Sequence, residues 1–425
     1  MEIKKGYKMT DVGVIPEDWE VMSIGELFSF KNGLNKDKDS FGFGTPIINY
    51  MDVYKNNGLT SKDIKGKVSL SDFEINCFLV KKGDVFFTRT SETPEEVGLT
   101  SVLLDNIPYG VFSGFLLRAR PKDNILDPFL CKYLFSNESF RSSVIQNSTY
   151  TTRALTNGNI LSSLFIAFPN NKHEQQSIAD ALTKVDNLIM SLSKVIEKKK
   201  LIKKGTMQKL LSGEVRLDGF EGEWKDVKLG KIGNTYSGIT GKNKSDFGHG
   251  TAKYITFLNV LNNPIINTKE FESVDISSNE NQNMVSKGDL FFNVSSETPE
   301  EVGICSVLLD DINNLYLNSF CFGFRLSDKE VSGIFISYLF RTSYGREKMS
   351  SIAQGATRYN LSKEYFNEIE LSLPPTKSEQ TAVANVLTTM DNEIEKLEKE
   401  RDKYKSIKQG MMQQLLTGKI RLTCQ

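Results

Sequence analysis

The chain of 425 residues carries 53 Lys and Arg against 53 Asp and Glu, a formal net charge of zero. That balance excludes a protein that wraps nucleic acid by bulk charge alone, while leaving room for local basic faces. With 39% hydrophobic and 10% aromatic residues the chain is globular, and its length suits two or three domains.

Five cysteines, Cys77, Cys131, Cys305, Cys321 and Cys424, are scattered without a CxxC pair, and only His173 and His249 accompany them. No structural zinc site is expected from that set, and free thiols suit a reducing cytoplasm. Residues 1–7 lack the apolar core of a signal peptide, and no run approaches the ~18 apolar residues of a membrane span. A cytoplasmic chain without membrane contact is the expectation.

Taken in order, residues 46–53 form a β-rich run, and 85–88 follow a Lys-Gly-Asp turn as a second strand. Residues 111–120 alternate in part, with Phe112, Gly114 and Leu116 against Ser113 and Phe115. A short helix is predicted over 128–135, where Leu, Phe and Tyr fall at helical spacing, then a short strand over 164–168. One long helix follows over 174–211. Its apolar residues Ile178, Leu182, Val185, Ile189, Leu192 and Ile196 step by four and three, a heptad seam that wants a partner helix. Asn171 with Glu174, after Pro169, supplies a start, and Gly213 supplies a stop. At 1.5 Å per residue this helix is roughly 57 Å long.

The partner lies 205 residues on: Val383, Leu387, Met390, Ile394 and Leu397 repeat the spacing, from a Thr376–Glu379 capping box to Gly418. Arg401 stands where Ile196 stood, so the second seam fades earlier. The same offset joins Trp19 to Trp224, Gly83-Asp-Val-Phe-Phe87 to Gly288-Asp-Leu-Phe-Phe292, Arg153 to Arg358 and Asp186 to Asp391. Ser91-Glu-Thr-Pro-Glu-Glu-Val-Gly98 recurs unchanged at 296–303. A β-rich run at 252–260, a helix at 333–341 and a strand at 369–373 complete the second copy. The expected fold class is α+β: two pseudo-repeated mixed α/β domains separated by two long helices packed as an antiparallel coiled coil. The expected boundaries are 1–170 and 214–375 for the domains, 171–213 for the central helix and 376–425 for the C-terminal one.

Three pairs of loops hold the polar residues of interest. Lys31, Lys36 and Lys38 surround Gly33, and Lys242 and Lys244 follow Gly238 and Gly241; such loops can approach a phosphate backbone closely. Thr88-Arg89-Thr90 pairs with Asn293-Val294-Ser295, ahead of the invariant octapeptide. The third pair is 148–153, with Tyr150 and Arg153, and 353–358, with Gln354, Thr357 and Arg358. Arg, Asn, Gln, Thr and Ser read base edges or hold phosphates; Arg89 suits guanine and Asn293 suits adenine. Taken alone, each loop is equally a turn bonded to itself. Eight identical residues suit a scaffold turn, not discrimination. There is no GxxxxGK[ST] phosphate loop, no [DNS]PP[YFW] tetrapeptide and no repeated histidine, so no catalytic centre is expected.

Laid out in this order, the residues resemble the specificity subunit of a type I restriction-modification enzyme over nearly the whole length. The resemblance is carried by Ile15-Pro-Glu-Asp-Trp19, Gly83-Asp84-Val-Phe-Phe, Thr357-Arg-Tyr-Asn-Leu361 and Leu373-Pro-Pro. It continues through Glu379-Gln-Thr-Ala-Val-Ala-Asn-Val-Leu387 and residues 407–422, whose first copy is 202–217. Ala167-Phe-Pro-Asn170 departs from the usual Pro-Pro pair.

The resemblance implies a non-catalytic DNA-binding subunit whose two target-recognition domains each read one half of a split, asymmetric target. It implies helices that act as spacer and dock two modification subunits. Double-stranded DNA is then one partner and restriction-translocase subunits are others. S-adenosylmethionine, ATP and magnesium are expected only on the partner subunits, with no cofactor or metal here. Two alternatives share the residues: a recognition subunit paired with a fused methylase-nuclease, and a coiled-coil adaptor that binds no DNA.

Overall fold

The computed structural model describes residues 3–150, 152–277, 279–355 and 357–422. The chain forms two compact units, Met1–Ser193 with Lys399–Gln425, and Lys194–Glu398. Each contains one α/β head and part of each long helix.

In the first unit the main sheet orders its strands Phe28–Asn32, Leu116–Pro121, Val85–Thr88, Thr100–Leu103 and Gly58–Leu59. All neighbours are antiparallel except the last pair. The second unit orders Gly233–Ser237, Cys321–Leu326, Leu290–Asn293 and Cys305–Val307 in the same way. The Gly-Asp-Val-Phe-Phe motif is the reason these sheets hold. Successive strand side chains point to opposite faces, so Phe87 and Phe86 enter different apolar clusters, as do Phe292 and Phe291. Gly83 and Gly288 turn the chain at φ +91° and +89°. Asp84 accepts from Arg120 at 2.7 Å twice, and Asp289 from Arg325 at 2.9 and 2.7 Å.

The runs expected as single strands at 46–53 and 252–260 break in two. Strands Phe41–Ile48 and Phe247–Ile255 give way to helices Tyr50–Lys55 and Phe257–Asn262. Asn49 and Thr256 end the strands and start the helices: the Asn49 backbone amide donates to the Asp52 carboxylate at 2.8 Å, and Thr256 Oγ1 accepts from the Asn259 backbone amide at 3.2 Å. β-propensity was a weak guide beside these caps. The 111–120 run likewise splits, into Val111–Phe112 and Leu116–Pro121. The short helices form as Pro128–Leu134 and Gly333–Leu339.

The long helices span Lys172–Leu211 and Lys377–Leu415. Ile178, Leu182 and Ile196 of the first seam are buried, as are Val383, Leu387 and Ile394 of the second. In the second unit Lys199 pairs with Glu393 at 2.6 Å and Lys203 pairs with Asp391, rising numbers against falling ones, so the helices run antiparallel. In the first unit Lys408 meets Asp186 at 2.6 Å. Tyr133 donates to Asp186 at 2.8 Å and Tyr338 to Asp391 at 2.7 Å, fixing each head to its own helix. Burial pushes the Asp186 carboxyl up, but Lys408, Tyr133 and Lys132 outweigh it and leave it below the usual range.

Gly213 and Gly418 end the helices at φ +74° and +70°. Gly213 packs tightly against the Trp224 ring, and a side chain at Gly418 would collide with Pro16. The expected capping box at Thr376 is only half made. Thr376 Oγ1 accepts from the Glu379 amide at 3.3 Å, but the Glu379 carboxylate turns to Arg216. Glu174 turns to Arg421 in the same way.

Candidate nucleic-acid interface

Each unit gathers its three loops around one tight turn, residues 113–115 or 318–320. Gly33 makes the first approach possible: a Cβ there would lie 2.0 Å from the Ser113 carbonyl oxygen, and one on Gly238 would lie 2.1 Å from that of Asn318. The lysine loop is then tied on by Leu34 N to Phe112 O at 3.0 Å and Ile239 N to Leu317 O at 2.7 Å. On the other side, Arg89 N donates to Phe115 O at 3.2 Å and Val294 N to Phe320 O at 2.9 Å. The carbonyls of Arg89 and Val294 in turn accept from Thr156 and Leu361 at 2.9 and 3.0 Å. This joins the third loop, because Leu155 pairs with Thr90 and Asn360 pairs with Ser295.

The residues singled out from sequence divide into two kinds. Exposed on the loops are Lys38, Lys244, Tyr150, Arg153, Gln354, Thr357 and Arg358. Thr90 and Ser295 are half-buried beside them. Thr151 and Ala356, within the third pair of loops, lie outside the described residues. Lys36 is paired with Glu74 at 2.7 Å and Lys242 with Glu280 at 2.5 Å. The Lys36 ammonium and the Ser71 amide hold the Glu74 carboxyl down at about 2; Lys242 and Ser277 do the same to Glu280. Arg153 stands 3.9 Å from Glu92.

Thr88 and Asn293 are of the other kind. Both are fully buried and bonded to the octapeptide turn. Thr88 Oγ1 donates to Glu96 O at 3.2 Å and accepts from Leu99 N at 2.9 Å. Asn293 donates to Ser295 O and Glu301 O at 3.2 and 2.9 Å and accepts from Ile304 N at 2.6 Å. Asn293 therefore presents no edge to an adenine, unlike the expectation for it. The octapeptide itself is a scaffold turn: Arg141 donates to the carbonyls of Glu95, Val97 and Gly98, and Arg346 to those of Glu300, Val302 and Gly303.

Each unit carries a cleft, and the two clefts share four equivalent positions. The first is lined by Asn32, Arg89, Leu117, Lys122, Gly158 and Asn159. In the second, Ser237, Val294, Phe322 and Lys363 occupy the positions 205 further on, with Thr240 and Lys242 at the rim. Arg89 donates from Nη1 to Gly114 O at 3.0 Å, and its Nε is buried without a partner. At the four shared positions one scaffold thus presents Asn32, Arg89, Leu117 and Gly158 once and Ser237, Val294, Phe322 and Lys363 once. Sequence reading missed Lys122, Asn159 and Lys363, and the exposed rings of Phe115 and Phe320 at the two turns. The Phe pair was findable, since it repeats at the common offset of 205.

Cys77, Cys131, Cys305 and Cys321 are free thiols, and Cys424 lies outside the described residues. Among the described residues no cluster of His, Cys, Asp and Glu has the arrangement of a metal site. No helix among them is long and apolar enough to cross a membrane.

Residues 16–203 and 221–403 each match the family model for the type I restriction modification DNA specificity domain. The type I restriction enzyme MjaVIII specificity subunit of Methanocaldococcus jannaschii is 27% identical, across 96% of this chain and 94% of its own. The crystal structure of a type I restriction-modification S subunit from M. genitalium superposes with a TM-score of 0.58. It has 16% identity and covers 98% of both chains, a likeness of fold. A second solved chain, from work on complex assembly and conformational transition of the type I R-M system, gives 0.56 at 15% identity, covering 96% of this chain and 99% of its own.

Proposed function

The chain belongs to the type I restriction-modification DNA specificity family, and we propose that its two units read unlike halves of one split DNA target. It is a specificity subunit and not itself an enzyme. Residues 1–170 and 214–375 serve as the recognition domains in this reading, and the helices Lys172–Leu211 and Lys377–Leu415 as the spacers.

The observation that carries the reading is the set of four equivalent cleft positions that bear unlike side chains. Backbone, turn and octapeptide are common to both, so both units meet DNA in the same pose. Arg89 against Val294, Leu117 against Phe322 and Gly158 against Lys363 then make them read differently. In this reading the exposed Lys38, Lys244, Arg153 and Arg358 hold phosphates, which fix register without carrying sequence. Arg89, Thr90, Tyr150, Ser295, Gln354 and Thr357 are the side chains offered to bases.

The chemistry resides on partners. Two modification subunits bring S-adenosylmethionine, and restriction-translocase subunits bring ATP and magnesium. A cytoplasmic location follows from a DNA target and unpaired thiols. The test is duplex binding across a salt series: phosphate contacts make affinity fall steeply with salt. Binding that ignores both salt and sequence would end the reading.

A further inference from the structure

Phe115 and Phe320 are 65% and 59% exposed at the same point of the two repeats. The backbone that carries each ring is fixed by hydrogen bonds. Leu116 N closes the first turn onto Ser113 O at 3.0 Å, and Cys321 N closes the second onto Asn318 O at 3.3 Å. Phe115 N also donates to Ser113 Oγ at 3.4 Å and Phe320 N to Asn318 Oδ1 at 2.9 Å. With Gly33 or Gly238 wedged beneath and residue 89 or 294 bonded alongside, each exposed ring stands on a rigid backbone tip.

The neighbours differ between units: Gly114 against Ser319, Arg89 against Val294, Leu117 against Phe322. The exposed Phe does not. A phenyl ring has no donor or acceptor, so it cannot read a base edge by hydrogen bonding. What it offers a duplex is a stacking face, and every base pair has one. The loops bonded to the same turn carry exposed cations, Lys38 and Arg153 in one unit and Lys244 and Arg358 in the other, which suits a polyanion and not an apolar groove. A residue kept constant where two readers otherwise diverge performs a task independent of sequence. We propose that Phe115 and Phe320 each insert between neighbouring base pairs of their half-site and kink the duplex there, as apolar wedges do. This rests on the DNA-reading function above.

The experiment uses the full chain assembled with its modification subunits, without S-adenosylmethionine. The duplex carries the motif methylated in host DNA, with donor and acceptor dyes flanking one half-site or the other. Wild type is expected to shorten the dye separation at both half-sites. Phe115→Ala straightens one half-site only and weakens binding roughly 5- to 150-fold, the equivalent of the about 1–3 kcal/mol of a stacked aromatic. Phe320→Ala straightens the other, and Phe115→Trp keeps the bend. Both rings are exposed, so melting curves should not move.

A straight duplex under wild type, or a bend unchanged in both Ala variants, overturns the inference while leaving DNA recognition standing. Loss of modification-subunit binding with DNA affinity intact would make the rings protein contacts and overturn it too. Failure of wild type to bind any duplex would remove the inference and the functional reading together.

Discussion

The guanidinium of Arg421 forks onto the carboxylate of Glu174 at 2.5 and 2.7 Å, although 247 positions separate them. Arg216 and Glu379 repeat the fork at 2.8 and 2.6 Å in the other unit. Both carboxylates are about 1% exposed. Each head is therefore closed by the segment that follows the other repeat's helix.

Removing one partner leaves a buried charge alone, at a cost of about 3–5 kcal/mol. Arg421→Ala should destabilise the first unit and leave the second unchanged; Arg216→Ala should destabilise the second and leave the first unchanged. The chain has two tryptophans, Trp19 and Trp224, one in each unit. Urea unfolding of Trp19→Phe and Trp224→Phe backgrounds reports the units separately. Equal shifts of both transitions would speak against the assignment.

Asn293 belongs to the scaffold. Asn293→Ala strands the Ile304 amide and the Glu301 carbonyl, and should lower the stability of the second unit by about 1–3 kcal/mol. The methylated motif should not change. A variant of normal stability with altered base preference would return Asn293 to the reading surface.

The lysine loops are tethered by carboxylates with depressed pKa values. Glu74, held near 2 by Lys36 and Ser71, has a folded value below the ~4.3 of a free glutamate. Its contribution is complete above pH ~4.3 and disappears as pH falls toward 2. The stability gap between wild type and Glu74→Gln should therefore close over that interval. At neutral pH the same variant frees Lys36 and should steepen the salt dependence of DNA binding by about 0.9 in log–log slope. A gap independent of pH, or a slope unchanged, would dissociate Glu74 from the loop.

Lys244 and Arg358 have a different signature. Lys244→Ala and Arg358→Ala should each lower affinity equally for cognate and unrelated duplexes and reduce the salt slope by about 0.9. Loss confined to the cognate sequence would make the residue a base reader.

The duplication, the long helices and the octapeptide scaffold were legible in the sequence because they rest on spacing and identity, which survive without coordinates. The Asn49 and Thr256 breaks were not, since a polar residue within an apolar run reads as alternation until its cap bond is seen. Asn293 misled because its type suits adenine while its burial, set by the octapeptide folding over it, is a tertiary fact. Glu174 and Glu379 looked like capping residues; arginines far along the chain claimed them instead. Phe115 fell on the outward side of a partly alternating run; its recurrence as Phe320 marks the pair, but core rings such as Phe87 and Phe292 recur as well, and exposure separates the two kinds.

The central claim, one scaffold reading two unlike half-sites, is tested most directly by mapping methylated adenines in host DNA with the wild-type chain, without the chain, and with Arg89→Ala. Wild type should yield a split motif with two different halves that vanishes without the chain. Arg89→Ala should relax one position in one half only, by the ~1–3 kcal/mol of a bidentate contact. A motif with identical halves, or one that loosens in both halves at once, would contradict the account.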